Sequence, residues 1–170
     1  MKSESSKGLT IRVIQGSILD VDAQVIVNAA NSHGLMGSGV AGVIRRVAGF
    51  RVEDEARKQA PIQVGMAVLT SGGRTKFHGI IHAPTMPELA MRIPVSNVGA
   101  ATRAALALAD EEGFQSVAFP GLGTGVGKVS PEEAAREMIR EIQQFHYEIL
   151  QSVVLVDVDP AMVQAWKDLL

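Results

Sequence analysis

Two glycine-rich segments carry the clearest chemical signal in this chain of 170 residues. The first is Gly37-Ser38-Gly39-Val40-Ala41-Gly42, and the second is Gly121-Leu122-Gly123-Thr124-Gly125-Val126-Gly127. Glycine lets the main chain approach a ligand closely, and consecutive N–H groups at the start of a helix attract an anion. One such segment alone is also consistent with a tight connection that binds nothing. Because there are two, the sequence predicts a diphosphate held between main-chain N–H groups.

Two asparagines precede the first glycine segment. Asn28 and Asn31 directly follow Val25-Ile26-Val27, a β-branched run typical of a buried strand. Polar groups at the end of such a strand must find partners. In one interpretation both side chains form hydrogen bonds to nearby loop backbone. In the other, Asn31 binds sugar hydroxyls beside the phosphates while Asn28 braces the loop.

The common phosphate-binding and metal-binding motifs fit this sequence poorly. The first segment spells GxGxxG, but Gly37 lies about ten residues beyond the strand instead of in its tight turn. A P-loop fails because Val129 follows Lys128 where Ser or Thr would bind magnesium. His33 and His82 lack partners at metal-ligand spacing, so we expect no metal and no cofactor. We interpret His82 as a hydrogen-bonded core residue and His33 as an exposed loop residue.

The composition excludes several classes of protein. The absence of cysteine rules out a thiolate nucleophile, a disulfide framework and Cys-ligated metal sites. With 16 basic and 18 acidic residues, the chain has no charge excess for a broad surface that binds long nucleic acid. No apolar run approaches the roughly 18 residues of a membrane span, and the polar start lacks a secretory signal. We therefore expect a cytoplasmic protein.

The strand and helix patterns place both glycine segments at one edge of a sheet. We expect strands at 10–15, 25–27, 66–70, 79–83, 116–119 and 153–156, with helices at 40–47, 50–60, 95–112, 131–147 and from 160. This alternation predicts a mainly parallel sheet covered on both faces. Ligands bind beyond the carboxyl ends of such strands, where both glycine segments begin. We expect a polar leader at 1–9 and a single domain at 10–170.

Taken together, these residues resemble the macrodomain family. The likeness spans about residues 10–158 and rests on Val27-Asn28-Ala29-Ala30-Asn31, Gly37 to Ile44, Ile80-Ile81-His82-Ala83 and Pro120 to Gly127. It implies an α/β fold, a three-layer α/β/α sandwich with a mixed, mainly parallel sheet. It also implies binding of ADP-ribose or a related nucleotide. Because several members remove ADP-ribose from proteins, nucleic acids or O-acetyl-ADP-ribose, modified proteins and nucleic acids are further expected partners.

The resemblance also implies a set of ligand-binding residues. Asn31 would meet the distal ribose and is the one candidate for a catalytic role. Main-chain N–H groups of Ser38, Gly39 and Val40 would hold one phosphate, and those of Gly123, Thr124, Gly125 and Val126 the other. Ile18 would lie near the adenine, with Asp157 and Val158 at the edge of that pocket. The remaining expected contacts are Ser17, Ala29, Gly37, Pro84, Gly121, Leu122 and Gly127.

The chain departs from the family's pattern at three positions. Ser17 replaces an aspartate that accepts from the adenine amino group, which lowers the expected affinity about ten- to a hundredfold. Gly127 replaces an aromatic residue beside the distal ribose. Ala41 replaces an aspartate that orients water in one hydrolase branch. Three functions stay open: an ADP-ribose binder with weak hydrolase or deacetylase activity, a binding module without turnover, and an NAD-dependent oxidoreductase.

Overall fold

A seven-stranded sheet forms the middle layer of the structure, a computed structural model that describes residues 2–6, 8–88 and 91–170. Its strands are β1 (Lys2–Ser6), β2 (Leu9–Gln15), β3 (Val25–Asn31), β4 (Val68–Thr70), β5 (Gly79–Met86), β6 (Ser116–Phe119) and β7 (Ser152–Asp157). They lie in the order β1-β2-β7-β6-β3-β5-β4. The central strands β2, β7, β6, β3 and β5 are parallel, and β1 and β4 run antiparallel to their neighbours. The predicted mixed, mainly parallel sheet is confirmed.

Helices cover both faces of this sheet. They are α1 (Gly39–Ala48), α2 (Phe50–Lys58), α3 (Val95–Glu111), α4 (Pro131–Gln144) and α5 (Pro160–Asp168). Helices α1 and α2 pack against one face around Ile26 and Ile80, whereas α3, α4 and α5 pack against the other around Val27 and Phe119. No helix in the described part of the chain is long and apolar enough to cross a membrane. The three layers match the sequence prediction.

The double covering explains why the central strands are apolar throughout. In β3, Val25 and Val27 belong to the cluster under α3, α4 and α5, and Ile26 belongs to the cluster under α1 and α2. Successive side chains point to opposite faces of a sheet, so a strand buried on both sides needs apolar residues at every position. As a consequence, the carboxyl ends of β2, β7, β6, β3 and β5 meet along one side of the molecule. We call this side the carboxyl edge.

The structure differs from the sequence prediction in the first nine residues and at the carboxyl end of α4. Residues 1–9 were expected to form a polar leader outside the domain, whereas Lys2–Ser6 form β1, which pairs with Leu9–Val13 of β2. Met1 and Lys7 lie outside the described residues.

Helix α4 begins after Ser130, whose Oγ accepts a bond from the Glu133 N–H at 3.2 Å, as its capping pattern predicts. It ends at Gln144, earlier than the expected residue 147.

Candidate functional site

Both glycine segments lie at the carboxyl edge. The first glycine loop, residues 37–40, follows β3 and opens α1, and the second glycine loop, residues 120–127, follows β6. Strands β3 and β6 are direct neighbours in the sheet, with Val25 opposite Val117. The loops after β2 and β7 join them there, since the Gly16 N–H donates to the Asp157 carbonyl at 3.0 Å. The Gly121 N–H also donates to Asp157, at Oδ2, over 2.9 Å. The topology therefore brings the predicted loops to one side of the sheet.

Apart from that of Gly121, the main-chain N–H groups of both loops lack acceptors within the described residues. In the first loop, residues 37–40 donate no hydrogen bond to any described residue. The hydrogen bonds of α1 begin with the one from the Gly42 N–H to the Ser38 carbonyl at 3.1 Å. In the second loop, residues 122–127 likewise donate none to any described residue, before Lys128 and Val129 bond back to Gly125 and Gly123. Unpaired N–H groups are rare in folded proteins unless water or a ligand meets them. The two loops therefore present a partly positive cradle.

Packing beneath the second loop fixes its shape. Gly123 has φ +79°, and a Cβ there would lie 2.8 Å from Val98 Cγ2 of α3. The carbonyl of Gly127 accepts a bond from the Ile93 N–H at 3.2 Å. In contrast, a Cβ on Gly125 would meet no atom within 4 Å, so this part of the loop faces open space. The loop is anchored on one side and free to contact a ligand on the other.

A buried carboxylate anchors the first loop, and sequence reasoning did not assign it this role. Glu53 of α2 is 9% exposed, and its Oε2 accepts a bond from the Met36 N–H at 2.6 Å. Its Oε1 lies 3.4 Å from Arg45 Nη1. The signal in the sequence is an acidic residue on the same helix face as Val52 and Ala56, which are buried. A carboxylate on a buried face requires partners, and here they hold the segment before the first glycine loop.

Asn31, not Asn28, braces the segment that leads to this loop. Asn31 Oδ1 accepts a bond from the His33 N–H at 3.0 Å, and Nδ2 donates to the Leu35 carbonyl at 3.0 Å. Both interpretations gave Asn28 bonds to the loop, which is wrong, whereas the local backbone bonds that the first interpretation gave Asn31 are confirmed. Since an amide carries two donor hydrogens, Asn31 keeps one for another partner. Its predicted contact with a ribose, and its role in catalysis, stay predictions.

Asn28 instead belongs to a buried polar chain across three strands. Its Nδ2 lies 3.1 Å from His82 Nδ1 of β5, and His82 Nε2 lies 2.9 Å from Thr70 Oγ1 of β4. All three residues are buried. Burial lowers the pKa of His82 to about 4. The prediction that His82 is a hydrogen-bonded core residue is confirmed.

The side chains of three further predicted contacts are buried. Ile18 lies in the cluster under α1 and α2, Leu122 lies in the opposite cluster, and Pro84 is buried within β5. Ala29 is partly buried against the cluster that contains Leu122. These side chains therefore support the loops from below.

Two apolar side chains stay exposed at the carboxyl edge. Val126, in the second loop, is 46% exposed, and Val158, directly after β7, is 70% exposed. Nearby, Ser17 Oγ accepts a bond from the Leu19 N–H at 3.1 Å and begins one turn of 3₁₀ helix, Ile18–Asp20. The hydroxyl of Ser17 can still donate one bond. Exposed apolar groups beside a polar cradle are typical of a site for a ligand with a ring.

An exposed acid–base pair lies between the segment before the first glycine loop and the chain after β5. His33 Nε2 lies 3.1 Å from Glu88 Oε2, and both side chains are largely exposed. The prediction that His33 is exposed is confirmed, but its partner Glu88 was not foreseen. Arg45 is half-buried and bound to Glu53, whereas Arg46 is exposed.

The family model described as Macro domain matches residues 27–138. The chain belongs to the macrodomain family. An uncharacterized protein of Aquifex aeolicus is 57% identical over 162 residues, which span 95% of this chain and 98% of that protein. The resemblance predicted from the two asparagines and the two glycine loops is therefore confirmed.

Solved macrodomains share the architecture of this macrodomain. The Oceanobacillus iheyensis macrodomain with ADP has a TM-score of 0.87 and 24% identity, covering 98% of this chain and 93% of that one. The Trypanosoma brucei macrodomain in complex with ADP-ribose has a TM-score of 0.84 and 26% identity, covering 94% of this chain and 68% of that one. The predicted α/β/α fold is confirmed.

The structure gives a physical reason for one departure of this macrodomain from the family's pattern. A Cβ on Gly127 would lie 2.7 Å from the Gly123 carbonyl oxygen and 3.1 Å from Ile93 Cγ1. An aromatic side chain at this position would require the second loop to change its path. At another of the three departures, Ala41 is 7% exposed in the first turn of α1, where nothing on its side chain can activate water.

Proposed function

We propose that this macrodomain binds ADP-ribose at the carboxyl edge, with the diphosphate between the two glycine loops. The observation that carries the proposal is the set of unpaired N–H groups in both loops. A bond from N–H to an anion is worth about 1.5–3 kcal/mol. Several such bonds, less the cost of association, correspond to about −8 kcal/mol, which is micromolar affinity.

The surroundings of the loops support a nucleotide as the ligand. Val126 and Val158 offer exposed apolar contact for a ribose and a base. Ser17 has no charge and already accepts a bond from Leu19, so the base is held less tightly than by a carboxylate. Complexes of the Trypanosoma brucei macrodomain with ADP-ribose and of the Oceanobacillus iheyensis macrodomain with ADP provide independent support.

Calorimetry with ADP-ribose, NAD and AMP tests this proposal. Wild-type protein should bind ADP-ribose most tightly, and Gly125→Glu should abolish binding because its carboxylate occupies and repels the phosphate site. The added Cβ faces open space, so the fold should survive. Val126→Glu is a second variant at an exposed position. Gln151→Glu, at an exposed position directly before β7, adds the same charge far from the loops and should bind like the wild type.

Two results would reject the proposal. Unchanged affinity in folded Gly125→Glu and Val126→Glu proteins would place the ligand elsewhere. Tighter binding of NAD than of ADP-ribose would favour the oxidoreductase alternative instead.

Slow removal of ADP-ribose from modified proteins is a second candidate function. Ala41 lacks a carboxylate that could orient water, which favours binding without turnover. The observation in favour of hydrolysis is the pair formed by His33 and Glu88, because the His33 N–H also bonds to Asn31. A histidine with one ring nitrogen held by a carboxylate can act as a base through the other.

An incubation with mono-ADP-ribosylated protein separates binding from turnover. If the pair is catalytic, free ADP-ribose should exceed one equivalent per protein, and His33→Ala should slow its release at least tenfold. His146→Ala is the matched control, since His146 is also exposed but follows α4. Release that never exceeds one equivalent identifies a binding module.

A further inference from the structure

A cavity of about 480 Å³ lies between the junction of α1 and α2 and the loop that joins β4 to β5. Its walls are residues 48–51 and residues 71–74. Helix α1 begins at the first glycine loop and ends at Ala48, and residues 71–74 precede the amino end of β5. The cavity therefore opens at the opposite side of the sheet from the carboxyl edge. Its volume is in the range of small-molecule sites, about 300–1,000 Å³.

The walls of this cavity are held in place by the main chain. The Arg74 N–H donates to the Ala48 carbonyl at 3.0 Å and ties the two segments together. The segments approach so closely that a Cβ on Gly73 would lie 2.4 Å from the Ala48 oxygen. A Cβ on Gly72 would lie 2.2 Å from the Phe77 oxygen. The two main-chain segments of the cavity wall are therefore held together by the fold.

Two arginines give the cavity a positive charge. Arg51 and Arg74 are both exposed, and no carboxylate of the described residues lies within ion-pair distance of either guanidinium. Glu55 is near Arg51, but its oxygens accept bonds from the N–H and the hydroxyl of Ser71 at 3.1 and 2.6 Å. Arg74 lies over Gly49, where a Cβ would be 3.8 Å from its Nε. Guanidinium groups bind phosphate through paired N–H donors.

An exposed aromatic ring completes the wall. Phe50 is 72% exposed, the largest exposed fraction among the large apolar side chains of the described residues. Arg45 Cζ lies 5.5 Å from the centre of its ring and covers one face. The other face has no aromatic or cationic partner in the described part of the chain. An exposed ring beside two arginines is the combination that holds a base and its phosphate.

We propose that this cavity is a second ligand site that takes a nucleoside phosphate, with the phosphate between Arg51 and Arg74 and the base against Phe50. The site is independent of the ADP-ribose site proposed at the carboxyl edge. It shares no residue with the two glycine loops.

Amide resonances in a ¹⁵N-labelled NMR titration test the proposal, because they report on each site separately. AMP should shift the amide resonances of Gly49, Gly72 and Gly73, whether or not it also shifts those of the glycine loops. Arg74→Ala and Arg51→Ala should each weaken this binding about tenfold or more. Arg46→Ala, which removes an exposed arginine of α1 outside the cavity, should change it less than about twofold.

Inorganic phosphate and ribose 5-phosphate separate the contribution of the base from that of the charge. Phe50→Ala should weaken AMP about fivefold or more and leave ribose 5-phosphate within about twofold. Failure of AMP at millimolar concentration to shift the cavity amides would overturn the proposal, as would equal binding by the wild type and both arginine variants. Equal affinity for ribose 5-phosphate and AMP would overturn the assignment of the base to Phe50. Shifts confined to residues 37–40 and 122–127 would reject this site and leave the carboxyl-edge site supported.

Discussion

His82 sits at the centre of β5 with no solvent exposure, and burial lowers its pKa to about 4. With Asn28 Nδ2 as donor, His82 Nδ1 accepts, and Nε2–H donates to Thr70 Oγ1. Both ring nitrogens are thus paired in the neutral form. A second ring proton would face the Asn28 donor, so the folded protein resists protonation of this histidine.

This neutral histidine predicts a loss of stability in mild acid. An unfolded histidine has a pKa near 6.5, so between about pH 6.5 and pH 4 the unfolded chain binds a proton that the folded chain excludes. Stability therefore falls as the pH decreases through that window, by about 2 kcal/mol between pH 7 and pH 5. Urea unfolding at both pH values measures it. His82→Gln should lose this part of the pH dependence, and His78→Gln, at an exposed position, should keep it. Equal pH dependence in both variants would show that His82 is not the group responsible.

The sequence predicts that these buried polar residues form hydrogen bonds, but it does not predict their partners. That Asn28 and His82 need hydrogen bonds follows from polar groups in apolar strands. That they bond to each other does not, because they are 54 positions apart and the sheet alone brings them together. The assignment of loop bracing to Asn28 failed for the same reason. Local hydrogen bonds connect Asn31 to Leu35, and no pattern of residue types distinguishes the two asparagines.

At the scale of elements, α2 controls the position of the first glycine loop. Glu53 is bound at once to the Met36 N–H, in the chain before the loop, and to Arg45, in the helix after it. Helix α1 therefore does not rest on apolar contacts alone. Indeed it buries Ala41, Ile44 and Ala48 and leaves Val47 46% exposed.

Removal of the Glu53 carboxylate should loosen this loop. We expect Glu53→Ala to lower the free energy of unfolding by about 1–3 kcal/mol, because the Met36 N–H is left without an acceptor. ADP-ribose affinity should fall as well, since the loop loses its anchor. Asp54→Ala is the control, because Asp54 is adjacent and exposed, and it should cost less than about 0.5 kcal/mol. Equal losses in the two variants, measured by urea unfolding, would contradict the anchoring role.

The bounds of strands and helices with strong apolar patterns are predicted well from the sequence, and those of the other elements are not. The positions of β2, β6, β7 and α3 agree with the sequence prediction to within about two residues. The segment Lys2–Ser6 contains no apolar residue, and its strand becomes visible only through main-chain pairing with β2. Similarly, β3 continues past Val27 to Asn31, because its polar residues pair with β5.

At the scale of the whole molecule, one helix joins the two proposed binding surfaces, which differ in chemistry. Main-chain N–H groups form the carboxyl edge, where α1 starts, and arginine side chains line the cavity at the end of α1. Helix α1 has ten residues, so the two sites are separated by about 15 Å along its axis. For a chain with a net charge of −2, the two proposals together confine anion binding to two local sites.

This difference in chemistry predicts different responses to salt. Raising NaCl from about 50 mM to about 500 mM should weaken ADP-ribose binding less than about threefold, because fixed N–H dipoles at short range are screened weakly. AMP binding at the cavity should weaken more, since salt screens the exposed guanidinium groups of Arg51 and Arg74 more strongly. Calorimetry and NMR titration at both salt concentrations measure the two effects. A steep salt dependence of ADP-ribose binding would instead assign the diphosphate to basic side chains such as Lys128.

A crystal structure of the protein with ADP-ribose tests the central claim most directly. The account predicts diphosphate oxygens about 3 Å from main-chain nitrogens of both residues 38–40 and residues 123–126, with no arginine or lysine side chain bound to them. A diphosphate bound to basic side chains, or held by one loop while the other stays unoccupied, would contradict it.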